Sequence, residues 1–263
     1  MSPSREGRRP LVAIHRAILD EPGWLCAWGV FTPVFEEYAA HRQRWSLEAD
    51  PLGLTMMRQA LAGACLQLAF RPPEESIGWT LNFAAPPTNI FVAGDSHSHE
   101  IVGRIFTENV ETSAGSRLFV QTQRPEHPTT QSIIPFQGWD VLDVFEEYHR
   151  HSEQVLARFF EWDEDRFAVV KALPGADLQA LADLAREEAE DRISHAEPSL
   201  DKREFAFRCH CDALRILDLL RGIFAKNPDD LFHGQATVQT QCPRCGALWE
   251  VERRDFDSLG ENN

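Results

Sequence analysis

Phe205-Ala-Phe-Arg-Cys-His-Cys211 and, after thirty intervening residues, Cys242-Pro-Arg-Cys-Gly246 carry four thiols in two tight pairs. A pair this close can place two thiolates on one ion, and two such pairs complete a tetrahedral four-cysteine zinc site. In the second pair Pro243 stiffens the turn, and Gly246 permits the tight backbone that a metal knuckle needs. The first pair is unusual, because structural zinc knuckles normally have two residues between their cysteines and this one has a single residue. Paired thiols also occur as metal-free redox dithiols, as permanent disulfides or as buried groups without a role. The spacing favours zinc, with Cys209, Cys211, Cys242 and Cys245 as ligands. A disulfide closed across Cys-x-Cys would be a strained small ring, and strained disulfides are readily reduced, a property that suits a switch.

Magnitudes point the same way. Zinc contributes about 10–16 kcal/mol to folding a small thiolate module, whereas a disulfide spanning three or four residues contributes about 2 kcal/mol. Oxidising both pairs would exchange the metal for about 4 kcal/mol in all. That is too little for a module of about fifty residues that needs a staple to fold. Oxidation is expected to unfold this end of the chain.

The 263 residues are 43% hydrophobic, enough for a packed core, either in one large domain or in a main domain with a small appendage. No run of eighteen apolar residues occurs, and polar, arginine-rich Met1 to Pro10 lacks the apolar segment of a signal peptide. A cytoplasmic location is expected, where thiols stay reduced. A net charge of -15 opposes a nucleic-acid partner, whose affinity rests on phosphate neutralisation. Cys65, within Leu61 to Phe70, reads as a small buried hydrophobe, and neither it nor Cys26 is assigned a function.

Leu11 to Leu19 has helical apolar spacing, ended by Asp20-Glu-Pro-Gly23. A second helix is expected from Thr32, as its cap, to Arg44, with Pro33 in the first turn and Glu36 placed for a capping box. Leu52 to Phe70, nearly uncharged, predicts a helix buried on most sides. From Ile77 the period becomes that of strands: Ile77 to Phe83, Asn89 to Ala93, Glu100 to Thr107, Arg117 to Thr122 and Thr130 to Phe136 predict an antiparallel sheet. His97 and His99 in the Gly94 to Glu100 turn could share one face as metal ligands, but without an identifiable third ligand they read as solvated turn residues. Trp139 to Phe160 resumes a helical period, and Arg166 to Leu173 predicts another strand. Residues 176–204 hold nine acidic and four basic side chains. Leu178, Leu181, Ala182, Ala185, Ala189 and Ile193 there form a narrow apolar stripe, so this helix would depend on docking against the rest of the molecule. The fold class expected is α+β, an antiparallel sheet packed with helices (1–175), an acidic helical linker (176–204) and a small zinc-binding module (205–263).

Cys209-x-Cys211, the thirty-residue spacer and Cys242-x-x-Cys245, preceded by Phe205-Ala-Phe-Arg208, resemble the redox-regulated heat-shock protein 33 chaperones, also called the 33 kDa chaperonin family. Tyr148 with Ser152-Glu153-Gln154 is similar to that family's Tyr-x-x-x-Ser-Glu-Gln motif, and the order of elements is similar over nearly the whole chain. The resemblance implies an ATP-independent holdase, inactive when reduced and zinc-bound. Oxidation would form two disulfides, Cys209 with Cys211 and Cys242 with Cys245, release zinc, unfold the linker and expose apolar surface to unfolding client proteins. The oxidised oligomeric state, monomer or homodimer, stays open, and no membrane partner is expected. A structural zinc protein that binds a macromolecular partner without switching is the alternative. An enzyme is not expected: four thiolates leave zinc no open position for water, and the chain has no phosphate loop, nucleophile elbow or convincing acid pair.

Overall fold

Two strands, β1 (Val12–Leu19) and β2 (Trp24–Val30), lead into helices α1 (Thr32–Arg44) and α2 (Pro51–Leu68). Five strands follow: β3 (Ser76–Ala84), β4 (Pro87–Asp95), β5 (Glu100–Phe106), β6 (Arg117–Gln123) and β7 (Thr130–Pro135). Helix α3 (Val141–Tyr148) continues into a π-helical turn (His149–Glu153), then come β8 (Ala157–Trp162) and β9 (Arg166–Ala172). Short helices α4 (Leu178–Ala182) and α5 (Arg186–Ser194) precede β10 (Leu200–Phe207). The last part holds α6 (Ala213–Phe224), α7 (Asp229–Phe232), β11 (Thr237–Gln241), β12 (Leu248–Glu252) and α8 (Arg253–Ser258). This computed structural model describes residues 10–19, 21–108, 110 and 114–258. Met1 to Arg9 and Asp20, read above as a polar start and a turn, lie outside them.

Ten strands form one sheet in the order β7-β6-β3-β4-β5-β10-β1-β2-β9-β8, and β11 pairs with β12 separately. All pairings are antiparallel except that of β10 with β5, where Ala206 lies beside Glu100 and Phe207 beside Ile101. Strict alternation of buried and partly exposed residues along β3 and β4 gives the sheet one core face. Helix α2 lies on that face, buried at thirteen positions, and Asp50 caps it by accepting a hydrogen bond from the Gly53 amide at 2.6 Å.

Helix α3 packs beside α2 in steps of four residues. Gln59 accepts from the Val141 amide at 3.3 Å. At Gly63 a Cβ would sit 2.6 Å from the Phe145 ring, so only glycine lets the helices approach this closely. One turn further, Gln67 and His149 are both buried, and after another turn Arg71 pairs with Glu153. Tyr148 donates to Glu153 at 2.7 Å, Ser152 meets Ser132 at 2.8 Å, and Gln154 adopts a left-handed φ of 55°. The Tyr-x-x-x-Ser-Glu-Gln residues thus close the π turn and fasten it to β7 and to Arg71.

Several sequence expectations need correction. Leu11 to Leu19 is a strand, not a helix: β1 carries an irregularity between Ile14 and Arg16. The extra residue of a bulge shifts the buried positions from Val12 and Ile14 to Ala17, and a spacing of three imitates a helix. Strand β2 had no counterpart in the sequence reading. Thr32 does not cap α1; its hydroxyl donates to the Asp165 carboxylate, and the helix has no side-chain cap, so the Glu36 capping box does not form. Pro33 does lie in the first turn. The helical period from Trp139 holds only to Tyr148, because Phe159, Phe160 and Trp162 belong to β8, which pairs with β9. In the acidic stretch the helix breaks after Ala182. Leu181, Leu184, Ala189 and Ile193 are buried against Trp24, Phe160 and Trp162, while Leu178, Ala182 and Ala185 are exposed. Residues 200–204 are sheet, since β10 pairs with β1 along them.

Candidate metal centre and its docking on the sheet

Strand β10 delivers the first thiol pair. Phe205 and Phe207 anchor it in the core, and the Arg208 amide donates to Ile101 at 2.9 Å. Cys209 therefore leaves the sheet from a fixed position. Asp212 then caps α6, accepting from the Arg215 amide at 2.8 Å, and that helix buries Ile216, Leu217 and Leu220. The second pair sits in the turn between β11 and β12. There the Cys242 amide donates to Ala247 at 2.8 Å and the Gly246 amide to Cys242 at 2.9 Å. Gly246 has a φ of +81°, and a Cβ there would lie 3.0 Å from Leu47. The left-handed backbone favours glycine, and a Cβ would in addition press on the Leu47 side chain.

The four sulfurs lie within 4.8 Å of one another. Cys209 and Cys242 sulfurs are 3.8 Å apart, and those of Cys211 and Cys245 are 3.5 Å apart. A tetrahedron with zinc–sulfur bonds of about 2.3 Å has edges of about 3.8 Å, so the donor set fits one zinc ion. The cluster is asymmetric in exposure: Cys242 and Cys245 are buried, whereas Cys209 and Cys211 are partly exposed. Hydrogen bonds from the Cys209 and Cys245 thiols hold Cys242 far below the ordinary thiol range. Sharing that proton with Cys242 pushes Cys209 up to about 12, and hydrogen bonds with Cys209 and Cys242 raise Cys245. One readily formed thiolate among neighbouring thiols is a competent start for binding a soft cation.

The knuckle rests on α1 and β5. The Cys245 carbonyl lies 3.0 Å from His41 Nε2, and since a carbonyl only accepts, that nitrogen carries a proton. Burial holds the His41 imidazole below its usual value, so the ring is neutral. Arg104 donates through Nη1 to the Cys242 carbonyl at 3.0 Å and through Nη2 to Gln241 at 2.8 Å. Its guanidinium stacks 3.9 Å from the Phe106 ring centroid. Four residues earlier on the same strand, Glu100 pairs with His210 at 2.7 Å and with Arg208 at 3.3 Å. Trp45 and Trp249 rings meet at 5.5 Å.

Every cysteine read from the sequence as a ligand is present in this cluster, the one group of three or more potential ligands among the described residues. His97 and His99 do not join it. Both are exposed in the β4–β5 turn, where Asp95 accepts from the His97 and Ser98 amides at 2.8 Å and His99 Nδ1 faces the Glu204 carbonyl at 3.1 Å. Cys65 is buried in α2 as expected, and Cys26 is equally buried in β2. Sequence reasoning missed His41, Glu100 and Arg104. No local signal marks them, because each acts on a segment more than a hundred residues away. No helix among the described residues is long and apolar enough to cross a membrane.

Residues 13–252 match the family model described as Hsp33 protein. The chain is 26% identical over 188 residues to the 33 kDa chaperonin of Methylobacillus flagellatus, across 62% of this chain and 63% of that relative, so less than two thirds of the relative's length is matched. The crystal structure of the 33 kDa chaperonin (heat shock protein 33 homolog) from Thermotoga maritima superposes with a TM-score of 0.71 at 14% identity, covering 97% of this chain and 98% of that one. A mixed α and β architecture with a large sheet, a four-cysteine cluster near its end and a family match over most of its length together place this chain in the Hsp33 family.

Proposed function

We propose that the protein is a redox-regulated, ATP-independent holdase chaperone of the cytoplasm, whose Cys209, Cys211, Cys242 and Cys245 hold zinc in the reduced, inactive state. The observation that carries this reading is a cluster of four converging cysteine sulfurs whose first pair is partly exposed while its second is buried in a small module. When bound, zinc would hold the four sulfurs deprotonated and fix the module's fold while leaving them nucleophilic.

The chemistry then belongs to the cysteines. In the metal-bound state every ligand sulfur would be deprotonated, and a partly exposed one, at Cys209 or Cys211, attacks a peroxide or hypochlorous acid, taking up oxygen as a sulfenic acid while the leaving group departs as hydroxide or chloride. The neighbouring thiol attacks that sulfur, expels water and closes Cys209–Cys211. Repetition at Cys242 and Cys245 consumes a second oxidant. Crosswise pairing, Cys209 with Cys242 and Cys211 with Cys245, would instead close longer loops and staple the module shut. Pairing within each motif leaves it with only short loops, which agrees with a release mechanism. Loss of the module is followed by unfolding of the acidic helices α4 and α5, and the surface they cover becomes available to unfolding clients, while β10 keeps its place in the sheet.

Light scattering by a thermally unfolding client, with reduced zinc-loaded and peroxide-treated protein compared while zinc is captured by a chromogenic chelator, tests this reading. Suppression only after oxidation, with zinc released and Cys209–Cys211 and Cys242–Cys245 found by peptide mapping, is expected. Zinc retention without suppression in either state would instead favour a non-switching structural zinc protein.

A further inference from the structure

Metal knuckles are commonly self-contained turns, but this one is tied to both strand β5 and helix α1. The carbonyls of two ligand residues, Cys242 and Cys245, accept from Arg104 on β5 and His41 on α1. Glu100, on the same strand as Arg104, engages His210, the single residue between Cys209 and Cys211. Residues four apart on a strand are about 13 Å from each other and lie on one face. One strand thus reaches both thiol pairs, with an acid for the first and a base for the second. The guanidinium is constrained by its stacking on Phe106 and by its second donation to Gln241, at the end of β11.

We infer that Glu100, Arg104 and His41 are positioning residues for the zinc site: a clamp contributed by β5 and α1 that holds the two cysteine pairs in ligating register and slows metal release. This inference rests on the zinc reading proposed above. Donors that orient metal ligands through their partners typically change metal affinity by about 10–100-fold when removed. Arg104 also brings a positive charge beside a thiolate cluster of net negative charge, and a planar fork that lysine cannot reproduce. Because coupling is reciprocal, zinc strengthens docking of the knuckle by the same factor that docking strengthens zinc. Metal loss and undocking from β5 are then one linked event, and the sheet registers the state of the thiols through residues that are not thiols.

The experiment uses full-length, zinc-loaded protein, with zinc transfer to a chromogenic chelator followed in time and amide hydrogen exchange measured in parallel. Arg104→Gln is expected to transfer zinc about tenfold faster than the parent, Arg104→Lys to fall between them, and Glu100→Gln to show a smaller acceleration. Amides of β3 and β4 should keep the parent's protection, while those of β5 near Arg104 and of the last turn of α1 exchange faster. A residue that merely supported the sheet would lower β3–β4 protection too, and that pattern would overturn the inference. Arg104→Gln and Glu100→Gln rates within twofold of the parent, in protein holding one zinc, would overturn it alone. Parent protein that takes up no zinc would remove the zinc reading and the clamp together. If Arg104→Gln fails to fold, Arg104→Lys and Glu100→Gln carry the same comparison.

Discussion

The sheet with its covering helices and the thiol-bearing end are built on different principles. In the first, Trp24, Trp79, Phe83, Phe145 and Phe167 are buried to 2% exposure or less, and α2 is enclosed on most sides. Burying such side chains contributes about 1.5–3 kcal/mol each, so that region has cohesion of its own. In the second, α6 buries three residues but leaves Leu214, Leu219 and Ile223 at 67%, 47% and 65% exposure. Among the described residues, two short strands and three helices there enclose only a small apolar cluster around Leu217, Phe232, Val251 and Phe256, and four converging thiols supplement it. The contrast teaches where the proposed redox signal would act: chemistry at sulfur would reach the end of the chain, which leans on its thiols, before the sheet, which does not.

The largest expected effect comes from removing the staple. Cys242→Ser with Cys245→Ser should abolish zinc binding, removing a contribution on the order of 10 kcal/mol. Limited proteolysis should then cut beyond residue 208 without oxidant, leaving the sheet region intact. A double variant that keeps zinc and the parent's protease pattern would erase the contrast between the two regions.

A smaller effect should appear in the sheet region, from acid rather than oxidant. His149 is fully buried, its Nδ1 2.8 Å from the Phe145 carbonyl, and its other ring nitrogen has no hydrogen-bond partner among the described residues. Burial first, and then Lys171, lower its pKa to about 3, with Arg71 adding to the repulsion and Glu153 opposing it. The folded state thus binds this proton less readily than the unfolded state, where histidine titrates near about 6.5. Stability from this group is complete above about pH 6.5 and falls, by about 1.4 kcal/mol per pH unit at most, as the pH drops toward 3. Denaturant midpoints of parent and His149→Gln protein, measured from pH 7 to 4, should diverge at neutral pH and converge in acid. Parallel curves would show that the buried histidine is no liability in acid.

The smallest effect sharpens the boundary between the regions. Helix α5 is held by Ala189 and Ile193 in an apolar patch, and its Arg192–Glu188 pair is exposed. Glu188→Gln should therefore shift the thermal midpoint by less than the equivalent of about 0.5 kcal/mol. A larger loss would mean that charge, not burial, keeps the acidic segment docked.

The four-cysteine cluster was legible because spacing alone limits what two close thiol pairs can do, and β3 to β7 were legible because alternation with turn residues survives any arrangement of the strands. Helices α1 and α2 followed from local rules of the same kind. Strand β1 was not legible, since its bulge mixes spacings of two and three, and β10 was hidden in a charged stretch whose strand character depends on having β1 and β5 on either side. The break from α3 into the π turn depends on Arg71 and Ser132, brought there by other elements. By itself the sequence determined which atoms could bind a metal and which segments alternate, because both are properties of neighbours along the chain. Only the tertiary structure decided that β10 lies inside the ten-stranded sheet and that Glu100, Arg104 and His41 meet the thiol pairs. Those contacts span 110, 138 and 204 residues, and no local preference encodes a partner at that distance.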